Sequence, residues 1–75
     1  MQHYEDIGCD SGVSAYETGI DSITVRFKDG SLYLYTYGSA GSAAIEKMKE
    51  LAANGNGLNA YINRCVKKAY AQRIR

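Results

Sequence analysis

Apolar and polar residues alternate twice in the first half of the chain. In "SITVRF" (22–27), Ile23, Val25 and Phe27 fall on one side, and Thr24 and Arg26 on the other. β-Branched residues at a period of two suit a pleated, half-buried surface. "SLYLYTY" (31–37) repeats the alternation, and "KDG" between the two runs supplies an Asp-Gly turn, so together they predict a hairpin. "VSAYE" (13–17) reads as a short first strand, set off from the hairpin by the turn "TGID". After "GSAGSA", a flexible strand-to-helix link, the period lengthens. Ala44, Ile45, Met48, Leu51 and Ala52 make one stripe of a helix whose other side holds Glu46, Lys47, Lys49 and Glu50. Ser39 or Ser42 is its expected N-cap, and "NGNG" ends it, with Gly55 as the left-handed cap residue. A second helix starts at Leu58 or Asn59, with Leu58, Ile62, Cys65, Val66 and Ala69 inward. The pattern predicts an α+β domain: a three-stranded antiparallel β-meander followed by two α-helices packed on one face of the sheet. Residues 13–75 make up this single small domain, and the polar stretch 1–12, with "GCDSG", is expected to be a flexible N-terminal arm.

Where Tyr33 and Tyr35 point depends on the turn. A two-residue type I′ loop at Asp29-Gly30 pairs Phe27 with Leu32. Leu32 and Leu34 then share the face of Phe27, Val25 and Ile23. The tyrosines lie opposite, beside Arg26 and Lys28, as a stacking platform rimmed by cations. A type I turn at Lys28-Asp29, with Gly30 left-handed in a bulge, pairs Phe27 with Ser31 instead. That one-residue slip sends Tyr33 and Tyr35 into the core and turns Leu32 and Leu34 outward. Asp-Gly fits both turns.

With 75 residues the chain is long enough for one domain only, and every bulky apolar side chain is needed to build its core. No run of about 20 apolar residues is present, so no membrane span is expected. "MQHYEDIG" lacks a basic segment followed by an apolar one, which makes the cytoplasm the expected location. Cys9 and Cys65 lie far apart with no CxxC pattern and read as free thiols, Cys65 as a small buried hydrophobe on the apolar stripe. His3 is the only histidine, and with the two cysteines it offers no zinc-spaced ligand set, so neither metal nor cofactor is expected.

The net charge of +1 conceals an asymmetry. Residues 1–37 hold Glu5, Asp6, Asp10, Glu17, Asp21 and Asp29 against Arg26 and Lys28, a net −4. Residues 38–75 hold Lys47, Lys49, Arg64, Lys67, Lys68, Arg73 and Arg75 against Glu46 and Glu50, a net +5, and no acid follows Glu50. At about 100° per residue, Arg64, Lys67, Lys68 and Arg75 gather on one side of the second helix. A basic surface of this kind suits a polyanion, and also suits plain solvation. Catalysis needs a nucleophile, a base or a metal assembled in a cleft, and the sequence assembles none, so no enzyme is expected. "GSAGSA" lacks the Lys and the spacing of a phosphate-binding loop.

Between residues 11 and 66 the chain resembles the KTSC domain, a short module named for the C-terminal extension of some lysyl-tRNA synthetases and also found as a stand-alone bacterial protein. The carriers are Tyr16, the alternating Ile23, Val25 and Phe27, then Gly30 followed by Tyr33-Leu34-Tyr35, which looks like the family's central YxY. "GNGLNAYI" is similar to its glycine-then-Asn-x-x-Ile segment at Gly55, Asn59 and Ile62. The chain lacks the family's Val-Pro after the tyrosines, and Val66 stands where a tyrosine is usual. The resemblance implies inward tyrosines, hence the bulged turn. It gives Phe27, Gly30, Tyr33, Tyr35, Asn59 and Ile62 a structural part. It also implies an RNA-binding role without catalysis.

Two functions follow as expectations. One is RNA or tRNA binding, with Arg64, Lys67, Lys68, Arg73 and Arg75 on phosphates and Tyr61 and Tyr70 stacking on bases. Lys47 and Lys49 extend the patch against the opposing Glu46 and Glu50, and Tyr37, Arg26 and Lys28 join it only in the unbulged register. Asn59 and Asn63 are placed to hydrogen-bond bases, although Asn59 equally suits a helix N-cap. The other is a protein–protein interaction or homodimerisation module, using outward Leu32 and Leu34 and the open strand edges.

Overall fold

The computed structural model of the protein describes residues 2–4 and 12–75. Its sheet has five antiparallel strands in chain order: Gln2–His3 (β1), Val13–Thr18 (β2), Ser22–Phe27 (β3), Leu32–Thr36 (β4) and Gln72–Arg73 (β5). The helices are Tyr37–Ala40 (α1), Ser42–Asn54 (α2) and Leu58–Tyr61 (α3), the last continuing as a π-helical segment, Ile62–Val66. The α+β class and the antiparallel hairpin are as expected. The counts are not: among the described residues five strands replace three, and three helices replace two.

The hairpin takes the bulged register. Val25 stands opposite Tyr33 and Ile23 opposite Tyr35. At the turn, Phe27 N–H donates to the Ser31 carbonyl at 2.9 Å, and Gly30 N–H donates to the Phe27 carbonyl at 2.9 Å. Gly30 sits at φ 93°, open to glycine at no steric cost. The Asp29 carboxylate accepts from Ser31 N–H at 2.9 Å, a local bond that closes the turn. Tyr35 is therefore buried beside Ile23 and Val25, whereas Leu32 and Leu34 face away from the helices. On β2 the pairing slips between Val13 and Ala15. That bulge lets Val13 and Tyr16, three residues apart, both turn inward, which a regular strand forbids.

The helices cover the inward face. Ile45, Met48 and Ala52 of α2 join Leu58, Ile62 and Val66 over Val13, Tyr16, Ile23, Val25 and Tyr35. Gly55 ends α2 at φ 73°, the expected left-handed cap. The N-cap expectation fails at both serines. Tyr37, expected to end the strand, and residues 38–40 of the expected flexible link form a helical turn capped by Thr36, whose hydroxyl accepts from Ser39 N–H while Ser39 Oγ accepts from Thr36 N–H. Gly41 precedes α2 with no side-chain cap.

Of the expected arm, Gln2 and His3 pair with Tyr16 and Ala15 as an edge strand, and Tyr4 is buried. These three belong to the sheet and core, and Gly12 borders β2; Met1 and residues 5–11, with Cys9, lie outside the described residues. The Tyr4 hydroxyl accepts the N–H of Leu58 at 3.2 Å. The start of α3 is thereby satisfied from across the fold. Asn59 is not an N-cap: Gly57 holds that position.

The second helix is shorter than expected. After Val66 the chain turns, Ala69 N–H donating to the Val66 carbonyl at 2.9 Å, and returns along β4. Ala71 and Ile74 donate to the carbonyls of Leu34 and Leu32, both at 2.7 Å. A continued helix would leave that edge of β4 without partners and would bury nothing further, since no large apolar residue follows on the stripe. Cys65 is exposed, not buried. A π-helical turn is wider than an α turn, so each residue advances less than 100°. Val66, four residues on, then falls over Ile62, and Cys65 stops short of the inward direction. Among the described residues no helix is long and apolar enough to cross a membrane.

Candidate functional site

A groove of about 550 Å³ opens between the hairpin tip and the segment after α3. From the hairpin come Phe27, Lys28, Asp29, Ser31, Tyr33 and Tyr35; from the other wall come Ile62, Asn63, Lys67, Lys68 and Tyr70, with Gly12 beside them. The bulged turn builds the first wall by aiming Phe27, Tyr33 and Tyr35 to the helix side. The turn after Val66 builds the second, because leaving the helix there projects Lys67 and Lys68 and lays Tyr70 back toward the sheet.

The aromatic rings meet edge to face. Phe27 and Tyr33 have centroids 5.5 Å apart at 81°, Tyr33 and Tyr70 4.8 Å at 84°, and Tyr35 and Tyr70 6.4 Å at 80°. Such pairs are worth about 0.5–1.5 kcal/mol beyond burial and hold the rings in fixed directions. The Arg73 guanidinium lies 5.5 Å from the Tyr33 ring centre, a cation–π contact that brings a further charge to the cluster. Burial, with Tyr33 and Tyr70 as neighbours, pushes the Tyr35 hydroxyl up to about 12. At the tip, the hydrogen bond from the Ser31 backbone holds Asp29 below the ordinary carboxylate range, with Arg73 adding to the effect. Asp29 is thus an anion at neutral pH.

The site residues expected from sequence separate into two groups. Lys67, Lys68 and Tyr70 line the groove together with Lys28, whose inclusion had depended on the other register. Arg73 reaches the cluster through Tyr33, from β5 and not from a helix. Arg64 is exposed on the π-helical segment and Tyr61 is half-buried against the core, both outside the groove lining. Arg75 exchanges backbone bonds with Leu32 at 3.3 Å and accepts from Arg73 Nε at 3.2 Å. The single basic helix face expected to gather Arg64, Lys67, Lys68 and Arg75 does not exist, because the helix ends at Val66, before three of them. Lys47 and Lys49 pair with Glu50 and Glu46 on α2. Tyr37 donates to Glu46 at 2.6 Å and stands clear of the groove lining.

Of the residues given a structural part, Tyr35 and Ile62 lie in the buried core, Phe27 and Tyr33 pack against it half-buried, and all four line the groove. Asn59 packs beside Gly12, where an added Cβ would stand 3.5 Å from its Oδ1. Asp29 and Ser31 were not foreseen as site residues. The only sequence signal for them was a charged turn beside an aromatic strand. Among the described residues, no group of three or more His, Cys, Asp or Glu is placed to hold a metal ion.

Set against protein-family models, curated proteins and solved structures, the chain matches none. The chemistry of the groove then has to carry the functional conclusion.

Proposed function

We propose that the protein is a non-catalytic binding domain that takes single-stranded RNA in the groove between the hairpin tip and residues 62–70. One observation carries the reading: Lys67, Lys68 and Tyr70 stand across a shared opening from Phe27, Lys28 and Tyr33. Aromatic surfaces accept any unstacked base, typically for about 1–3 kcal/mol per base, and lysines hold phosphates without reading sequence. Duplex RNA keeps its bases stacked inward, so a walled aromatic groove suits single strands, loops and ends. The KTSC resemblance, carried by Tyr33-Leu34-Tyr35 and Asn59-x-x-Ile62, points to the same class of ligand.

The test is an amide NMR titration of the labelled protein with bulk tRNA and a short single-stranded RNA at two salt concentrations. Shifts are expected at Tyr33, Lys67, Lys68 and Tyr70. With three lysines on phosphates, log affinity falls with log salt at a slope of about −2. Reversing Lys67 and Lys68 to Glu abolishes the shifts. Unchanged affinity in that variant, or a flat salt response, would overturn the assignment.

Self-association is a second reading, favoured by Leu32 and Leu34 on the sheet face opposite the helices. Its other support is weaker than the sequence implied. The edges of β2 and β4 are occupied by β1 and β5, and the new edges are two residues long, too short to template another chain well. Leu32→Ser with Leu34→Ser removes any dimer seen by sedimentation; a wild-type monomer at every concentration removes the reading.

A further inference from the structure

We infer that the groove is a pocket for one nucleotide, its base among the aromatic rings and its phosphate on the Lys67–Lys68 wall. The inference rests on the RNA reading and narrows it from a strand to a single nucleoside monophosphate unit, free or unstacked from a chain.

Size is the first argument. A nucleoside monophosphate has about 20–24 non-hydrogen atoms and at protein-like packing fills roughly 300–400 Å³. The groove's 550 Å³ holds one such unit with some water. Its floor is also closed: Tyr35 is 1% exposed and Ile62 3%, so a strand cannot thread deeper into the fold.

Charge is the second argument, and it sets the direction of the ligand. Lys67 and Lys68 are consecutive and exposed on one wall, in a stretch with no acid anywhere after Glu50. The opposite wall carries Lys28 and, through Tyr33, Arg73, but the ionised Asp29 beside them offsets one of these charges and repels phosphate, whereas no acid offsets Lys67 and Lys68. A phosphate therefore settles on the Lys67–Lys68 side, and the base is left with Tyr33, Tyr70 and Phe27. Asn63, on the same wall as the lysines, offers an amide donor and acceptor to the ribose or base edge.

The whole chain is titrated by amide NMR with AMP, UMP, adenosine, uridine, inorganic phosphate and hexauridylate. Both monophosphates should give saturable shifts at Tyr33, Lys67, Lys68 and Tyr70, at least tenfold tighter than the matching nucleoside or phosphate alone. Lys67→Gln with Lys68→Gln should weaken the monophosphates at least tenfold and close their gap to the nucleosides. Phosphate binding as tightly as AMP would reduce the groove to an anion site and overturn the inference. Silence from AMP and UMP while hexauridylate shifts the same residues would overturn it too, leaving the RNA reading in place. Silence from every RNA and nucleotide would remove both.

Discussion

Replacing Tyr4 by Phe tests whether the N-terminal strand is part of the fold. The substitution keeps a ring that is 1% exposed and removes one oxygen. That oxygen accepts the N–H of Leu58 at 3.2 Å, and Leu58 is fully buried, so no water replaces it. Leaving a buried donor without its acceptor costs about 1–3 kcal/mol. A 75-residue domain has roughly 4–11 kcal/mol in all, so this one atom carries a sizeable share. For a domain of this size the melting temperature falls by about 5–20 °C. Tyr4→Ala also removes the ring, a further loss of about 3–5 kcal/mol, and brings the protein close to unfolding. Urea unfolding followed by circular dichroism reads the midpoint, with an unchanged slope showing that the unfolded reference is the same. Amide exchange at Leu58 should quicken in Tyr4→Phe. A Tyr4→Phe midpoint equal to wild type, with Leu58 still protected, would refute the hydrogen bond, and a Tyr4→Ala midpoint equal to wild type would refute the docking of Tyr4 and β1.

Two other predictions concern the groove and the π-helical turn. Because Tyr35 is raised from 10.0 to about 12 by burial, its neutral form is favoured in the folded state, so stability is complete below pH 10 and is lost as pH rises toward 12. A difference of that size is about 2.7 kcal/mol, and water in the adjoining groove screens it to about 1–2 kcal/mol. Tyr35→Phe should flatten the alkaline fall, and an unchanged profile would count against the placement. Cys65 should react with a disulfide reagent in native buffer, measured in a Cys9→Ser background. A thiol protected until the protein unfolds would mean that residues 62–66 continue as an ordinary α-helix with Cys65 inward.

The elements legible in the sequence are those whose stability depends on their own periodicity. Ile23, Val25 and Phe27 alternate strictly, and Ile45, Met48 and Ala52 hold a helical stripe, so β3 and α2 stand where the pattern put them. Gly55 at a helix end is equally local, since only the backbone angle at that residue decides it. The groove was half legible. Lys67, Lys68 and Tyr70 were visible as a basic, aromatic stretch, but the hairpin residues that face them are more than thirty positions away.

What the tertiary structure alone decided has a common cause. Two-residue strands such as β1 and β5 have no period to read; they form because β2 and β4 offer unpaired backbone groups at their edges. The tail leaves its helix to satisfy β4, which takes Arg75 off the expected helix face and sets Arg73 opposite Tyr33 in the sheet. The π-helical turn exposes Cys65 while keeping Val66 in the core, a choice between two apolar neighbours that an α-helical pattern treats alike. Asp-Gly allowed either hairpin register, and the bulged one prevailed with Tyr33 and Tyr35 beneath the helices. The chain thus determined its local elements by itself, because their preferences are written in neighbouring residues. Register, edge pairing and the opposition of Lys28 to Lys67 came from the fold, because unpaired backbone and unfilled volume are properties of elements already brought together.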